Sequence, residues 1–171
     1  MAGAGYEVRL EGAEAALGKL GDAAQRMEHP APLFDLIGAM LVTSTQDRFE
    51  RGTDPEGNPW PVSLRVRFEG GSILRDSHFL FQSITHEASD EGVEVGTNVP
   101  YAATHQFGAV IRPVVARALA FEVGGEVVFA QQVTIPRRAF LGLDDADEEA
   151  IEEIAEEFVL APFIEGDGDA R

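Results

Sequence analysis

The sequence predicts an α+β fold in which an antiparallel sheet packs against two or three helices, with a long loop at about 53–71. Three observations carry that prediction. Apolar residues recur at spacings of three and four through about 12–51, with His29-Pro30-Ala31-Pro32 dividing the run into two helices. Gly124-Gly125 separates two stretches of alternating apolar and polar residues, the pattern of a hairpin whose turn needs positive φ. An acidic opening, Asp144 to Glu149, precedes Ile151, Ile154, Ala155 and Phe158 at helical spacing, and acidic groups suit the positive N-terminal end of a helix.

At 171 residues and 44% hydrophobic content the chain suits one domain, 1–165, with residues 166–171 as a disordered tail. Tyr6 to Leu10 alternates and reads as a short first strand. The first helix follows from Glu11, with Ala13, Ala16, Leu17, Leu20, Ala24 and Met27 on an alanine-rich stripe suited to close helix–helix contact. The second, Leu33 to Arg51, sets Leu33, Leu36, Ile37, Met40, Leu41 and Phe49 on its buried side; Arg48 and Arg51 suit its negative end and Gly52 stops it. Together they make a helical hairpin at about 12–51, followed by a mixed sheet and helix region at 72–160.

Between these lie Pro55, Gly57, Pro59, Pro61, Gly70 and Gly71, too many breakers for a regular element outside Val62 to Phe68. Trp60, the single tryptophan, anchors this loop on the core or serves as an interface anchor. Ile73 to Ile84 reads as a short helix with Leu74, Ser77, Phe81 and Ile84 on one side, and Asp90-Glu91-Gly92 turns into a strand carrying Val93 and Val95. Val95 to Gly108 reads as a strand end, a Gly-Thr-Asn turn and a short helix opened by Pro100 and closed by Gly108, with Tyr101 and His105 on one side and Ala103 and Phe107 on another. Leu119, Phe121 and Val123 then face Val127, Phe129, Gln131 and Val133 across the Gly-Gly turn, and 136–142 connects to the last helix.

Composition narrows the function classes. The net charge of −17 argues against binding nucleic acid through its phosphates. The charge is uneven: residues 1–47, 48–138 and 139–171 carry −4, −2 and −11. Twelve of the thirteen basic residues are arginine, whose planar fork pairs with carboxylates, so arginines of the middle segment are candidates to face the acidic C-terminal segment of a neighbouring subunit. The nine acids between Asp144 and Glu157 read as a solvated face. With no cysteine there is no disulfide, thiolate metal site or cysteine nucleophile. No apolar run reaches the roughly 18–20 residues of a membrane span and no signal peptide opens the chain, which predicts a soluble, unexported protein. Neither a nucleophile elbow nor a phosphate-binding glycine loop is present, and His29, His78, His86 and His105 form no metal-ligand pattern. His105 reads as a helix-end histidine packed on Tyr101, with no catalytic partner in its motif. No enzymatic activity and no cofactor are predicted.

Four segments carry a resemblance. Val-Gly-Thr-Asn at 95–98 with Tyr-Ala-x-x-His-Gln-Phe-Gly at 101–108 resembles the signature of the phage virion morphogenesis family, the tail-completion or neck proteins of tailed bacteriophages. Asp54 to Trp60 resembles the family's Pro-x-Gly-x-x-Trp loop, and Ile73-Leu74 through Leu80 and Ser83-Ile84 its Ile-Leu … Leu … Ser-Ile segment. Ile135 to Gly142 resembles its Ile-Pro-Ala-Arg-Pro-Phe-Leu-Gly box, here with Arg-Arg-Ala in place of Ala-Arg-Pro. His78 stands after Ser77 where the family has glycine. The similarity covers about residues 48–160.

The resemblance implies a structural virion protein acting in tail completion and head–tail joining, as a ring of six copies between the tail terminator and the head-side connector or adaptor. It would reside in the virion neck, assembled in the host cytoplasm, in a phage, a prophage or a gene-transfer agent. DNA would pass through the lumen without specific binding, which a negative wall favours, and no membrane would be contacted. Trp60, Tyr101, His105, Phe107, Arg137, Arg138 and Phe140 are the candidate residues that shape or support contact surfaces. Alternatives are a minor capsid or decoration protein and, from another class, a metal-dependent hydrolase using His78, His86 or His105.

Overall fold

The structure is a computed structural model that describes residues 13–164. The expected strand at Tyr6–Leu10 and the tail at 166–171 lie outside the described residues. Helix α1 (Ala13–Glu28) and helix α2 (Ala31–Arg51) form the hairpin, with Pro30 and Pro32 flanking the start of α2, where a missing N–H costs no helical bond. Short helices α3 (Leu64–Glu69) and α4 (Phe79–Gln82) follow, then strands β1 (Thr85–Ser89) and β2 (Gly92–Gly96). Helix α5 (Ala102–Phe107) leads to β3 (Ala109–Ile111), β4 (Leu119–Val123), β5 (Glu126–Ala130) and β6 (Val133–Ile135), and α6 (Asp145–Ile164) closes the described chain.

The α+β class holds, with the strands divided among three two-stranded antiparallel sheets, β1–β2, β3–β6 and β4–β5, instead of one sheet. Each has its own physical cause. The β1–β2 hairpin lies on α2, which covers it; Gly38 of α2 is buried there, where a Cβ would meet the His86 ring at 2.4 Å and Val93 at 2.8 Å. The helix and sheet backbones approach through that gap. The β4–β5 hairpin turns at Gly124 and Gly125, both at positive φ (59° and 83°), as predicted. Val133 does not continue β5: the chain turns at Gln131-Gln132, and Val133–Ile135 pairs with Ala109–Ile111 instead. Among the described residues, the main packing of helix α6 is on α1 and α2.

Two helical expectations change. Residues 73–84 are helical only over Phe79–Gln82, because Leu74 and His78 hold φ of 58° and 59°, which interrupt a right-handed helix. His78 occupies a left-handed conformation that glycine adopts without strain. The apolar stripe of α1 is not buried as a unit: Leu17, Leu20 and Met27 are exposed, and α1 meets α6 through the buried Ala23, the Arg26 side chain over the Phe158 ring and Lys19 on the Phe163 carbonyl. In α2, Leu36 is exposed, whereas Leu33, Ile37 and Phe49 are buried.

The core is the cluster of Phe49, Trp60, Leu80, Ile84, Val99, Ala102 and Phe140. Phe49 sits at its centre, with Trp60 edge-on at 5.4 Å, Phe81 edge-on at 6.0 Å and Phe140 tilted at 5.1 Å between ring centroids. Edge-to-face pairs of this kind add about 0.5–1.5 kcal/mol each beyond the area they bury.

Candidate functional site

The four signature segments, far apart in sequence, meet around one extended strap, residues 138–142. Its backbone groups belong to no helix or sheet, so side chains and one neighbouring carbonyl satisfy them. Trp60 Nε1 donates to the Ala139 carbonyl at 2.9 Å. Gln106 accepts from the Phe140 and Leu141 N–H groups, both at 3.0 Å, and donates from Nε2 to the Leu141 carbonyl at 2.8 Å. Arg48 Nη1 donates to the Gly142 carbonyl at 2.7 Å and, more weakly, to that of Phe140 at 3.4 Å. The Arg138 N–H donates to the His105 carbonyl at 2.7 Å.

The remaining segments brace this strap. Asp54 closes its loop on Asn58, whose N–H and side-chain amide it accepts at 2.7 and 3.2 Å, and Pro55 then lies where a Cβ on Gly142 would approach to 2.6 Å. Ser83 hydrogen-bonds Thr97 at 2.7 Å, and Thr97 accepts from the Val99 N–H at 3.2 Å, tying the Ser-Ile segment to the Gly-Thr-Asn turn. The long 53–71 loop is therefore ordered by specific bonds, with α3 in its second half capped by the Ser63 hydroxyl on the Val66 N–H.

Beneath the strap lies a buried ionic centre. Arg48 is 1% exposed and its Nη2 meets the carboxylates of Asp144, at 3.2 Å, and Asp147, in very close contact. Asp144 also accepts from the Asp147 N–H and Asp147 from the Asp144 N–H, both at 3.0 Å, a reciprocal capping box that starts α6. Burial raises the Asp144 carboxyl, but the Asp147 N–H, Arg48 and the Ala146 N–H outweigh it and hold the group below its ordinary 3.8. Arg48 thus serves the interior and not the exposed helix end, and Asp147, 3% exposed, is no part of a solvated face.

Of the seven candidate contact residues, Trp60, Phe140 and Arg138 are buried within the subunit, so they support a surface from beneath and do not form it. Tyr101, Phe107 and Arg137 are exposed. His105 is half-buried, edge-on to Tyr101 with centroids 6.0 Å apart, as its spacing predicts. Burial first, then the nearby Arg138 charge, push its pKa below 6.5. The other histidines have separate surroundings: His86 pairs with Asp35 at 2.9 Å and His78 lies edge-on to Phe81. Among the described residues no group of three or more histidine, aspartate or glutamate side chains is placed to hold a metal. No helix among them is long and apolar enough to cross a membrane.

A second region faces outward. In β5, Val127, Val128 and Phe129 are exposed, Phe129 at 71%, and the loop before β4 holds Val114 and Val115 at 97% and 98%. Among the described residues, α3 packs on this arm, through Phe68 against Gly124. The sequence reading missed three residues that organise the site: Gln106, Arg48 as a strap ligand, and Asp147. Gln106 belongs to the Tyr-Ala-x-x-His-Gln-Phe-Gly segment, and its signal is a polar side chain on a six-residue helix beside a segment with no sheet to join.

Over 155 residues the chain is 33% identical to the Mu-like prophage FluMu G protein 2 of Haemophilus influenzae, covering 90% of this chain and 96% of that protein. It is 30% identical over 125 residues to the putative capsid assembly protein G of Escherichia phage Mu, covering 68% and 70% of the two chains. No solved structure matches. The sequence model of one family extends over residues 8–159, including all four segments that meet at the strap, and with it the chain belongs to the phage virion morphogenesis family, with a structural or assembly role in the virion.

Proposed function

We propose that this chain completes the tail and joins it to the head, as a subunit of a neck ring of six copies lying between the tail terminator and the head-side connector or adaptor. The observation that carries the reading is the β4–β5 arm. Its exposed valines and Phe129 sit on a two-stranded sheet with unpaired edges, a surface that is costly in water and favourable when a neighbour covers it. The exposed Leu17, Leu20 and Met27 of α1 offer a second apolar face for the same purpose. The strap fixes the rigid body from which the arm projects, since β6 enters it directly through Pro136-Arg137. Association then proceeds by burial of apolar area, with arginine–carboxylate pairs setting register.

The lumen of such a ring would be crossed by DNA that the −17 chain does not bind. Negative-stain imaging and mass photometry of the purified chain test the ring. The double substitution Val127→Glu/Phe129→Glu is expected to leave the subunit folded and to abolish rings. Particles lacking the chain are expected to yield separate heads and tails; normal joined particles would overturn the proposal. A second reading, a minor capsid or capsid-assembly protein, is favoured by the name of the phage Mu relative. Immunogold labelling separates them, at the neck for the first and over the shell for the second.

A further inference from the structure

A cavity of about 310 Å³ opens beside the strap, lined by Ile73, Leu74 and Leu80, by Tyr101 and His105, and by Arg138 with Ser63, Arg65, Asp76 and Ser77. Its apolar residues join a buried cation at one end. Arg138 is 4% exposed, yet the one hydrogen bond its guanidinium makes is Nε to the Pro61 carbonyl at 2.7 Å. Its two terminal nitrogens have no partner among the described residues and are not sealed from the cavity. His105 Nδ1 is buried beside it, also without a partner. The other charges lining the cavity already face each other, Arg65 and Asp76 at 3.4 Å.

A buried guanidinium without a carboxylate is costly unless something supplies the missing charge. The planar fork of arginine accepts a carboxylate in two-pronged fashion, and the neighbouring Ile73, Leu74 and Leu80 suit the methylene stem of a glutamate. Within its own subunit, Arg138 has no such partner among the described residues. We propose that this pocket is a carboxylate receptor filled, in the assembled ring, by a glutamate from the outer face of α6 of a second copy. The glutamates we assign to it are Glu152, Glu153, Glu156 and Glu157, all exposed, within the segment carrying most of the chain's negative charge. A phosphate is the poorer occupant, because the chain as a whole repels polyanions. The inference rests on self-association, and its test separates the two.

Sedimentation velocity of the full chain measures self-association for wild type, for Arg138→Gln and for the quadruple variant Glu152→Gln/Glu153→Gln/Glu156→Gln/Glu157→Gln. Each variant is expected to weaken association by about tenfold or more, as the loss of one charge-assisted pair does, and combining them is expected to add little. The quadruple variant touches only exposed side chains and remains informative if Arg138→Gln unfolds. The His105 ring resonances are expected to shift on wild-type self-association and to stay still in the quadruple variant. Rings of wild-type strength in the quadruple variant would overturn the pocket assignment alone, whereas a wild-type chain that remains monomeric at every concentration would overturn the ring and the pocket together. His105 shifts on adding inorganic phosphate or a short DNA duplex, without any on self-association, would overturn it in favour of a phosphate site.

Discussion

Replacing Arg48 by methionine is the perturbation to which the fold is expected to be most sensitive. The guanidinium is 1% exposed, meets two carboxylates and donates to the carbonyls of Phe140 and Gly142. Methionine fills much of the volume but leaves Asp147, 3% exposed, as a buried anion whose remaining donor is the Asp144 N–H. Breaking a buried pair from one side costs about 3–5 kcal/mol, and two carbonyls losing a donor add about 1 kcal/mol or more between them. Against a total stability of about 5–15 kcal/mol for a domain, a loss of about 4–6 kcal/mol removes a large share of the margin. The second substitution, Asp147→Asn, removes the stranded charge while keeping an acceptor for the Asp144 N–H, so Arg48→Met/Asp147→Asn is expected to regain about 2 kcal/mol. Urea unfolding followed by tryptophan fluorescence reads this directly, because Trp60 is the chain's single tryptophan and lies on the same strap. A loss below about 1 kcal/mol for Arg48→Met, or a double variant no better than the single, would refute the account.

Gln106→Leu keeps the side-chain volume and removes three hydrogen bonds to Phe140 and Leu141, so it is expected to cost about 2–3 kcal/mol in the same unfolding assay, with Gln106→Glu recovering only the two accepted bonds. His78→Gly relieves a left-handed backbone worth about 1–2 kcal/mol and gives back part of it through the freer unfolded chain, so a net gain of about 0.5 kcal/mol is expected by calorimetry. The Asp144 carboxyl is depressed, so its stabilisation is present above the unfolded value of 3.8 and lost as pH falls through its lower folded value; Asp144→Asn is expected to flatten the acid limb of stability against pH. His105 is also depressed, and as a base it charges first in the unfolded chain: stability is expected to decline as pH falls below 6.5 toward the folded value, a slope that His105→Gln removes.

Much of the fold was legible in local pattern. The Pro30–Pro32 break, the Gly52 stop and the Gly124-Gly125 turn each act through the backbone of their own neighbours, so sequence spacing suffices. Failure came where distant segments decide. Arg48 looked like a helix-end cation because its partners, Asp144 and Asp147, lie some hundred positions away, and the same distance hid two acids inside a run that otherwise does face solvent. Residues 73–84 carry helical spacing, but Leu74 sits at positive φ while packed against the core cluster, and periodicity encodes neither. The stripe on α1 has helical period without burial, since α6 meets the helix along another side.

The same division bears on function. Side chains of the signature segments are largely spent inside the subunit: Trp60 and Gln106 on strap carbonyls and amides, Phe140 in the core, Ser83 on Thr97. A motif used this way defines a rigid frame and carries little information about partners. The surfaces left exposed include the apolar arm at β4–β5, the Leu17, Leu20 and Met27 face of α1, the glutamate face of α6, and Tyr101, Phe107 and Arg137. Substitutions in the frame are therefore expected to alter the unfolding midpoint and assembly together. Substitutions on the arm, such as Phe129→Glu, are expected to leave the unfolding free energy within about 0.5 kcal/mol of wild type, as surface changes do, while preventing the proposed ring. Matched loss of stability and assembly at Phe129 would mean that the arm folds back on its own subunit, and the apolar surface would then have no partner to explain.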